Sequence, residues 1–180
     1  NLSLDTCTIR NYLYFFNNNG DSLGKVNIET ASSQSAEYNT TSLEIDQQKN
    51  IVVVGYGFGN GSNPNFCFVL KYDSVGNFIW KKVMPYVDGT ELLRYYRLVS
   101  ASDGSGYLIA GLRSQPDTLK GTFFLAKLDT AGNFLWQQNL PRPTPILYST
   151  SSQDLIDVVP NRFGSGYYFM CSAPKNLDGQ

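Results

Sequence analysis

Two aspartates have the chemistry and the spacing to attract attention first: Asp73 and Asp129 stand far apart in near-identical surroundings. Paired carboxylates are the minimum equipment for glycoside hydrolysis. Residues that recur at equivalent places in successive units serve the unit, however, so both are assigned to turns. The chain has no histidine, which removes the commonest general base and metal ligand and excludes Ser–His–Asp and Cys–His catalysis within it. No loop carries the dense run of oxygen ligands that calcium requires. The sequence therefore implies no catalytic set, no metal and no cofactor. Alternating glycines from Gly55 to Gly61 imitate a phosphate loop; with no capped helix after them, an inter-strand loop is expected. Cys7, Cys67 and Cys171 are odd in number and fit neither a CxxC motif nor a zinc site. One long-range disulfide of unspecified pairing and three buried thiols both stay open. Lys71 and Lys127 are expected on exposed strand positions. The pairs Tyr95–Tyr96 and Tyr167–Tyr168 should each place one ring in the core and one at the surface.

What positions these residues is a repeat. Lys71, Asp73, Gly76, Asn77 and Trp80 recur one period later as Lys127, Asp129, Gly132, Asn133 and Trp136. A weaker copy one period earlier keeps Gly20 but has Gly24 in the tryptophan's place. A second segment repeats in step, the apolar runs ending in Gly55 and Gly111, with a relative at 166–171. Each unit reads as four strands. In the later full unit these cover 98–101, 107–111, 122–129 and 133–139. Gly132 suits a positive φ at the last turn, where Asp129 bonds back to the backbone. Helical periodicity is poor, and its one candidate, 91–98, is too short to stand alone.

The expected fold is all-β: four-stranded antiparallel blades of a β-propeller, about 56 residues each, forming a partial propeller of about three blades. Residues 1–180 form a single segment with units near 1–40 (partial), 41–96, 97–152 and 153–180 (partial). One such sheet cannot cover both its faces, so neighbours must stack, and Trp80 and Trp136 should fill the space between them. Propellers have about 4–8 blades. The chain is therefore expected to belong to a longer polypeptide or larger assembly, with ring completion by oligomerisation ranking second.

Composition agrees with a β-rich extracellular protein: 42% hydrophobic, 14% aromatic, and only 16% charged against roughly a quarter in average domains. A net charge of -1 without a basic run argues against nucleic acid. No apolar stretch is long enough for a transmembrane segment.

The pattern Lys-Leu-Asp-x-x-Gly-Asn-x-x-Trp, together with Asp-Gly-x-Gly-Tyr-x-x-Ala-Gly from Asp103 to Gly111, resembles the delta-60-type propeller-like repeats of secreted and surface proteins of Bacteroidota, often exported by the type IX secretion route. The resemblance covers about three quarters of the chain. Quinoprotein docking motifs and sialidase Asp-boxes differ from it in turn length, which fixes hairpin geometry. Stacked β repeats, low charge and no catalytic set imply a non-enzymatic scaffold, adhesin or protein-interaction module with a protein or surface glycan as partner, and the resemblance implies a secreted or cell-surface location. It leaves two alternatives: a carbohydrate-binding or carbohydrate-active propeller, and a subunit of an outer-membrane or secretion-associated complex. It also implies O-glycosylation at Asp-Ser/Thr sites followed by a small or aliphatic residue, here Ser22, Ser74, Thr118 and Thr130.

Overall fold

Short apolar runs punctuated by Asp, Asn and Gly become strands and tight turns throughout. The computed structural model describes residues 11–28, 37–58, 66–85, 92–115, 120–141, 156–161 and 166–171. These hold strands β1 (Tyr12–Phe16), β2 (Ser22–Asn27), β3 (Glu37–Ile45), β4 (Ile51–Phe58), β5 (Phe66–Tyr72), β6 (Phe78–Pro85), β7 (Leu92–Ser100), β8 (Tyr107–Gln115), β9 (Lys120–Leu128), β10 (Phe134–Pro141), β11 (Ile156–Pro160) and β12 (Tyr167–Cys171). They make four antiparallel sheets in chain order: β1–β2, β3 to β6, β7 to β10, and β11–β12. No helix occurs among the described residues, so none is long and apolar enough to cross a membrane.

Two expectations change. The helical candidate 91–98 lies almost wholly in β7, which starts well before the strand expected there. So short a segment cannot hold a helix unaided, whereas β8 offers it a full ladder from Leu92 opposite Ser114 onward. The two complete sheets accordingly start at Glu37 and Leu92, ahead of the unit limits drawn at 41 and 97.

The sheets stack face to face. On β4, Ile51 and Val53 join Leu13, Ile28 and Leu70 between the first and second sheets, while Val52 and Val54 join Leu98, Ile109 and Phe124 between the second and third. On β8, Leu108 and Ala110 turn the other way, toward Val158 and Phe169 of the fourth sheet. This is why the central strands read as unbroken apolar runs: both faces are covered. The sheets approach most closely at their first strands, β7 lying near β3 on one side and β11 on the other. There the Thr41 hydroxyl donates to the Tyr95 carbonyl at 2.6 Å and the Leu98 N–H to the Ser42 hydroxyl at 3.3 Å. The fourth strands splay outward, leaving Phe78, Ile79, Phe134 and Leu135 exposed.

The spacing from aspartate to tryptophan has a geometric cause. Tyr72 pairs with Phe78 but Lys71 with Trp80, so Ile79 bulges out. Leu128 pairs with Phe134 and Lys127 with Trp136, bulging Leu135; Phe16 pairs with Ser22 and Phe15 with Gly24, bulging Leu23. A bulge breaks strict alternation, so Phe78 and Trp80 point to opposite faces although only one residue separates them. Trp80 thereby turns toward the third sheet, where it packs on Tyr107 with ring centroids 6.5 Å apart.

The turn of the next sheet closes over it. A β-carbon on Gly132, at φ 82°, would sit 2.9 Å from the Trp80 ring, and one on Gly76, at φ 91°, would sit 2.6 Å from Val26. Gly20 shares the backbone conformation, at φ 87°, but has open space around it. Gly20→Ala therefore tests the backbone term alone, expected at about 1 kcal/mol. Gly132→Ala adds the collision with Trp80 and should cost about 1–3 kcal/mol more. Urea denaturation of the two variants measures the difference; equal losses would show that the turn does not bear on Trp80.

Candidate functional site

The repeated turn is built by its aspartate. Asp73 Oδ1 accepts from the Val75 and Asn77 N–H groups at 3.0 and 2.8 Å, and Oδ2 accepts from Asn77 Nδ2 at 2.7 Å. Asp129 does the same with Ala131 and Asn133. Asp46 does so with Gln48 and Asn50, with Lys49 at φ 64° standing where the other turns have glycine. In the first sheet the roles reverse, with Asn17 accepting from the backbone and donating to Asp21 at 2.8 Å. Bonds from the Asn77 side chain and then its backbone hold the Asp73 carboxyl below its ordinary range; for Asp129 the Asn133 backbone leads and its side chain follows. Both carboxylates are spent on their own turns, and among the described residues no three histidine, cysteine, aspartate or glutamate side chains converge to hold a metal ion.

Asp46 does more than hold a turn. Its Oδ2 also accepts from Lys71 Nζ at 3.0 Å and from the Tyr107 hydroxyl at 2.8 Å. Tyr107 belongs to the third sheet and the other two to the second, so the trio spans their interface. Lys71 itself reaches the third sheet twice, donating to the Thr130 carbonyl at 3.4 Å and lying over the Tyr107 ring at 5.5 Å. Both charges are nearly inaccessible. Burial alone would raise the Asp46 carboxyl, but bonds from Asn50, Lys71 and Tyr107 outweigh it and hold the group ionised below its usual range. The Tyr107 hydroxyl is driven far upward, first by burial and then by its bond to Asp46. A protonated phenol and a carboxylate carrying five donors make a clamp between the two sheets.

The expectation that Lys71 and Lys127 are exposed is corrected. Lys71 is buried because Asp46 and Tyr107 close over it. Lys127 is half-buried and lies over the Tyr167 ring at 5.7 Å, the same lysine-on-tyrosine contact one sheet further on. In the first sheet, Phe15 occupies the equivalent place.

The other sequence candidates fall as follows. Gly55 is pressed between the Asn39 carbonyl and the Phe68 ring inside β4, and Gly111 lies in β8, so both are strand residues. Asn77 and Asn133 are the turn partners already described. Trp136 is 42% exposed, whereas Trp80 is part-buried on Tyr107. Ser22, Ser74 and Thr130 are exposed; Thr118 lies outside the described residues. Cys67 is a buried thiol in the core between the second and third sheets, and takes no part in a disulfide. Cys7 and the side chain of Cys171 lie outside the described residues. Tyr95 is buried on Phe124, 5.5 Å between centroids, the Tyr96 side chain lies outside the described residues, and Tyr167 is half-buried beside exposed Tyr168. At the first strands, Arg97 Nε bonds Asp157 Oδ1 at 2.9 Å, a half-exposed pair. Nearby Glu44 is raised by burial, with Arg97 pulling it back. No family model and no curated protein matches this sequence.

The sequence concealed the Asp46 clamp, although one signal was present. Asp46 and Asn50 have the Asp-x-x-x-Asn spacing of the other two turns, with Lys49 masking the glycine. Lys71→Met should destabilise by about 3 kcal/mol at neutral pH, because it strands a buried carboxylate. The Asp46 carboxyl, lowered in the folded state, contributes stability above the ordinary carboxylate range and loses it as pH falls through the folded value. Urea midpoints taken between about pH 6 and pH 3 should therefore converge for wild type and variant. A gap that stays constant would mean that Lys71 does not act through Asp46.

Proposed function

We propose that the chain is a non-enzymatic secreted or cell-surface β-propeller repeat protein, serving as a scaffold, adhesin or protein-interaction module. The observation that carries this reading is the Asp46–Lys71–Tyr107 clamp: the one buried charge pair among the described residues is committed to joining two sheets. The Asp73 and Asp129 carboxylates are likewise committed to turns. The successive antiparallel sheets, of which the second, third and fourth approach at β3, β7 and β11, support the propeller geometry. In such a fold the rigid stack presents its turns and outer strands, where Ile79, Leu135 and Leu23 bulge outward, as a contact surface. The repeat resemblance supports the extracellular location.

The test is binding without turnover. The chain, displayed on a glycan array and on intact cells and incubated with chromogenic glycosides, is expected to bind surfaces saturably and to release no chromophore. Hydrolysis of any glycoside, abolished in Asp73→Asn or Asp129→Asn, would overturn the non-enzymatic reading in favour of a carbohydrate-active propeller.

A further inference from the structure

The Asp46 clamp has a partial copy one sheet further along. The turn between β3 and β4 and the turn between β7 and β8 share one hydrogen-bond pattern. In the first, the Asp46 N–H donates to the Asn50 carbonyl and the Lys49 N–H to the Asp46 carbonyl. In the second, the Ala101 N–H donates to the Gly106 carbonyl and the Gly104 N–H to the Ala101 carbonyl. Lys49 at φ 64° and Gly104 at φ 70° hold the same left-handed position. Ala101 therefore stands where Asp46 stands. The strands agree: Lys71 pairs with Val52 of β4 as Lys127 pairs with Leu108 of β8, and Tyr107 opens β8 as Tyr167 opens β12.

Two of the three clamp members thus recur between the third and fourth sheets, and the carboxylate does not. Lys71 Nζ lies 5.5 Å from the Tyr107 ring centre, and Lys127 Nζ lies 5.7 Å from that of Tyr167. In the earlier interface both donors converge on one oxygen, Asp46 Oδ2, at 3.0 and 2.8 Å. In the later one the methyl group of Ala101, 2% exposed, stands in place of that carboxyl group. A β-carbon on Gly106 would collide with the Leu128 carbonyl, so the turn carrying Ala101 lies tight against the end of β9, beside Lys127. Among the described residues, neither Lys127 Nζ nor the Tyr167 hydroxyl makes a hydrogen bond. Asp103 attracts Lys127 through space, but its Oδ1 accepts from the Ser105 N–H at 2.9 Å. Lys127 and Tyr167 are both half-buried, where an acceptor counts for more than in open water and solvent still has access.

We infer that this place between the third and fourth sheets binds a small carboxylate from solution. One of its oxygens takes the position that Asp46 Oδ2 has in the preceding interface, accepting from Lys127 Nζ and from the Tyr167 hydroxyl. An ammonium and a phenol aimed at one oxygen suit a monoanion, and the bond from the ammonium is charge-assisted. The methyl group of Ala101 supplies an apolar wall where the chain's own carboxyl group would otherwise stand. The inference does not depend on the non-enzymatic reading: binding here is measured without any turnover assay, so either can fail while the other holds.

Titration of the isotope-labelled full chain with sodium acetate, against sodium chloride at equal ionic strength, reads the site through its amide resonances. Acetate is expected to give saturable shifts at Ala101, Gly104, Lys127 and Tyr167 that chloride does not give. Lys127→Met and Tyr167→Phe should each weaken acetate binding about tenfold or more, the equivalent of one lost hydrogen bond. Ala101→Asp should abolish the acetate shifts and raise the urea midpoint, because the chain then supplies the carboxylate itself. Glucuronate run in parallel identifies the source: shifts matching those of acetate assign the site to acidic sugars, and shifts with acetate alone assign it to free small acids. The inference is overturned if neither carboxylate gives saturable shifts, or if the shifts survive in Lys127→Met. A lowered urea midpoint in Ala101→Asp overturns it as well, since a carboxylate at that position would then be out of reach of Lys127 and Tyr167.

Discussion

The four described sheets are two-sided, and covering both sides is the constraint on which the rest depends. A four-stranded antiparallel sheet with apolar residues on both faces is not stable alone in water. β4 and β8 carry such residues without interruption, Val52 and Val54 turned one way, Ile51 and Val53 the other. Stability therefore belongs to interfaces between sheets more than to any one of them. The polar features make sense in that light. Asp46, Lys71 and Tyr107 place a hydrogen-bonded charge pair in the second interface, where a mismatch in register would strand a buried carboxylate. Thr41 and Ser42 stitch the inner strands across the same interface.

The repeat was readable because its parts answer to local rules. An aspartate and an asparagine in Asp-x-x-x-Asn spacing, with a glycine at positive φ between them, dictate one turn wherever they occur. The bulge that follows fixes the step to tryptophan. Sheet number and strand order follow from those signals and from the apolar runs. The residues that escaped sequence reasoning are those whose surroundings come from far along the chain. Lys71 and Lys127 look alike in sequence, yet Lys71 is bonded to a buried aspartate, supplied by the turn between β3 and β4 and joined by a tyrosine at the start of β8, whereas Lys127 has only the longer-range attraction of Asp103. Trp80 and Trp136 occupy the same register, yet Trp80 is closed over by Tyr107 and the Gly132 turn, which come from far along the chain, while Trp136 is exposed. The short helical period at 91–98 lost to β8, a partner that no local pattern reveals.

The same division governs function. The carboxylates that spacing brought forward are turn ligands of their own asparagines, and the buried charges are interface ligands of each other. What stays available is surface: bulged apolar residues on the fourth strands and the exposed turns beside them.

Native-state hydrogen exchange in Tyr107→Phe tests most directly whether the interfaces, and not the individual sheets, carry the stability. The account predicts that the amides of Val52 and Val54 in the second sheet lose the same opening free energy as those of Leu108 and Ala110 in the third, although the altered hydroxyl belongs only to the third. Protection that falls in the third sheet while the second keeps its full value would contradict it.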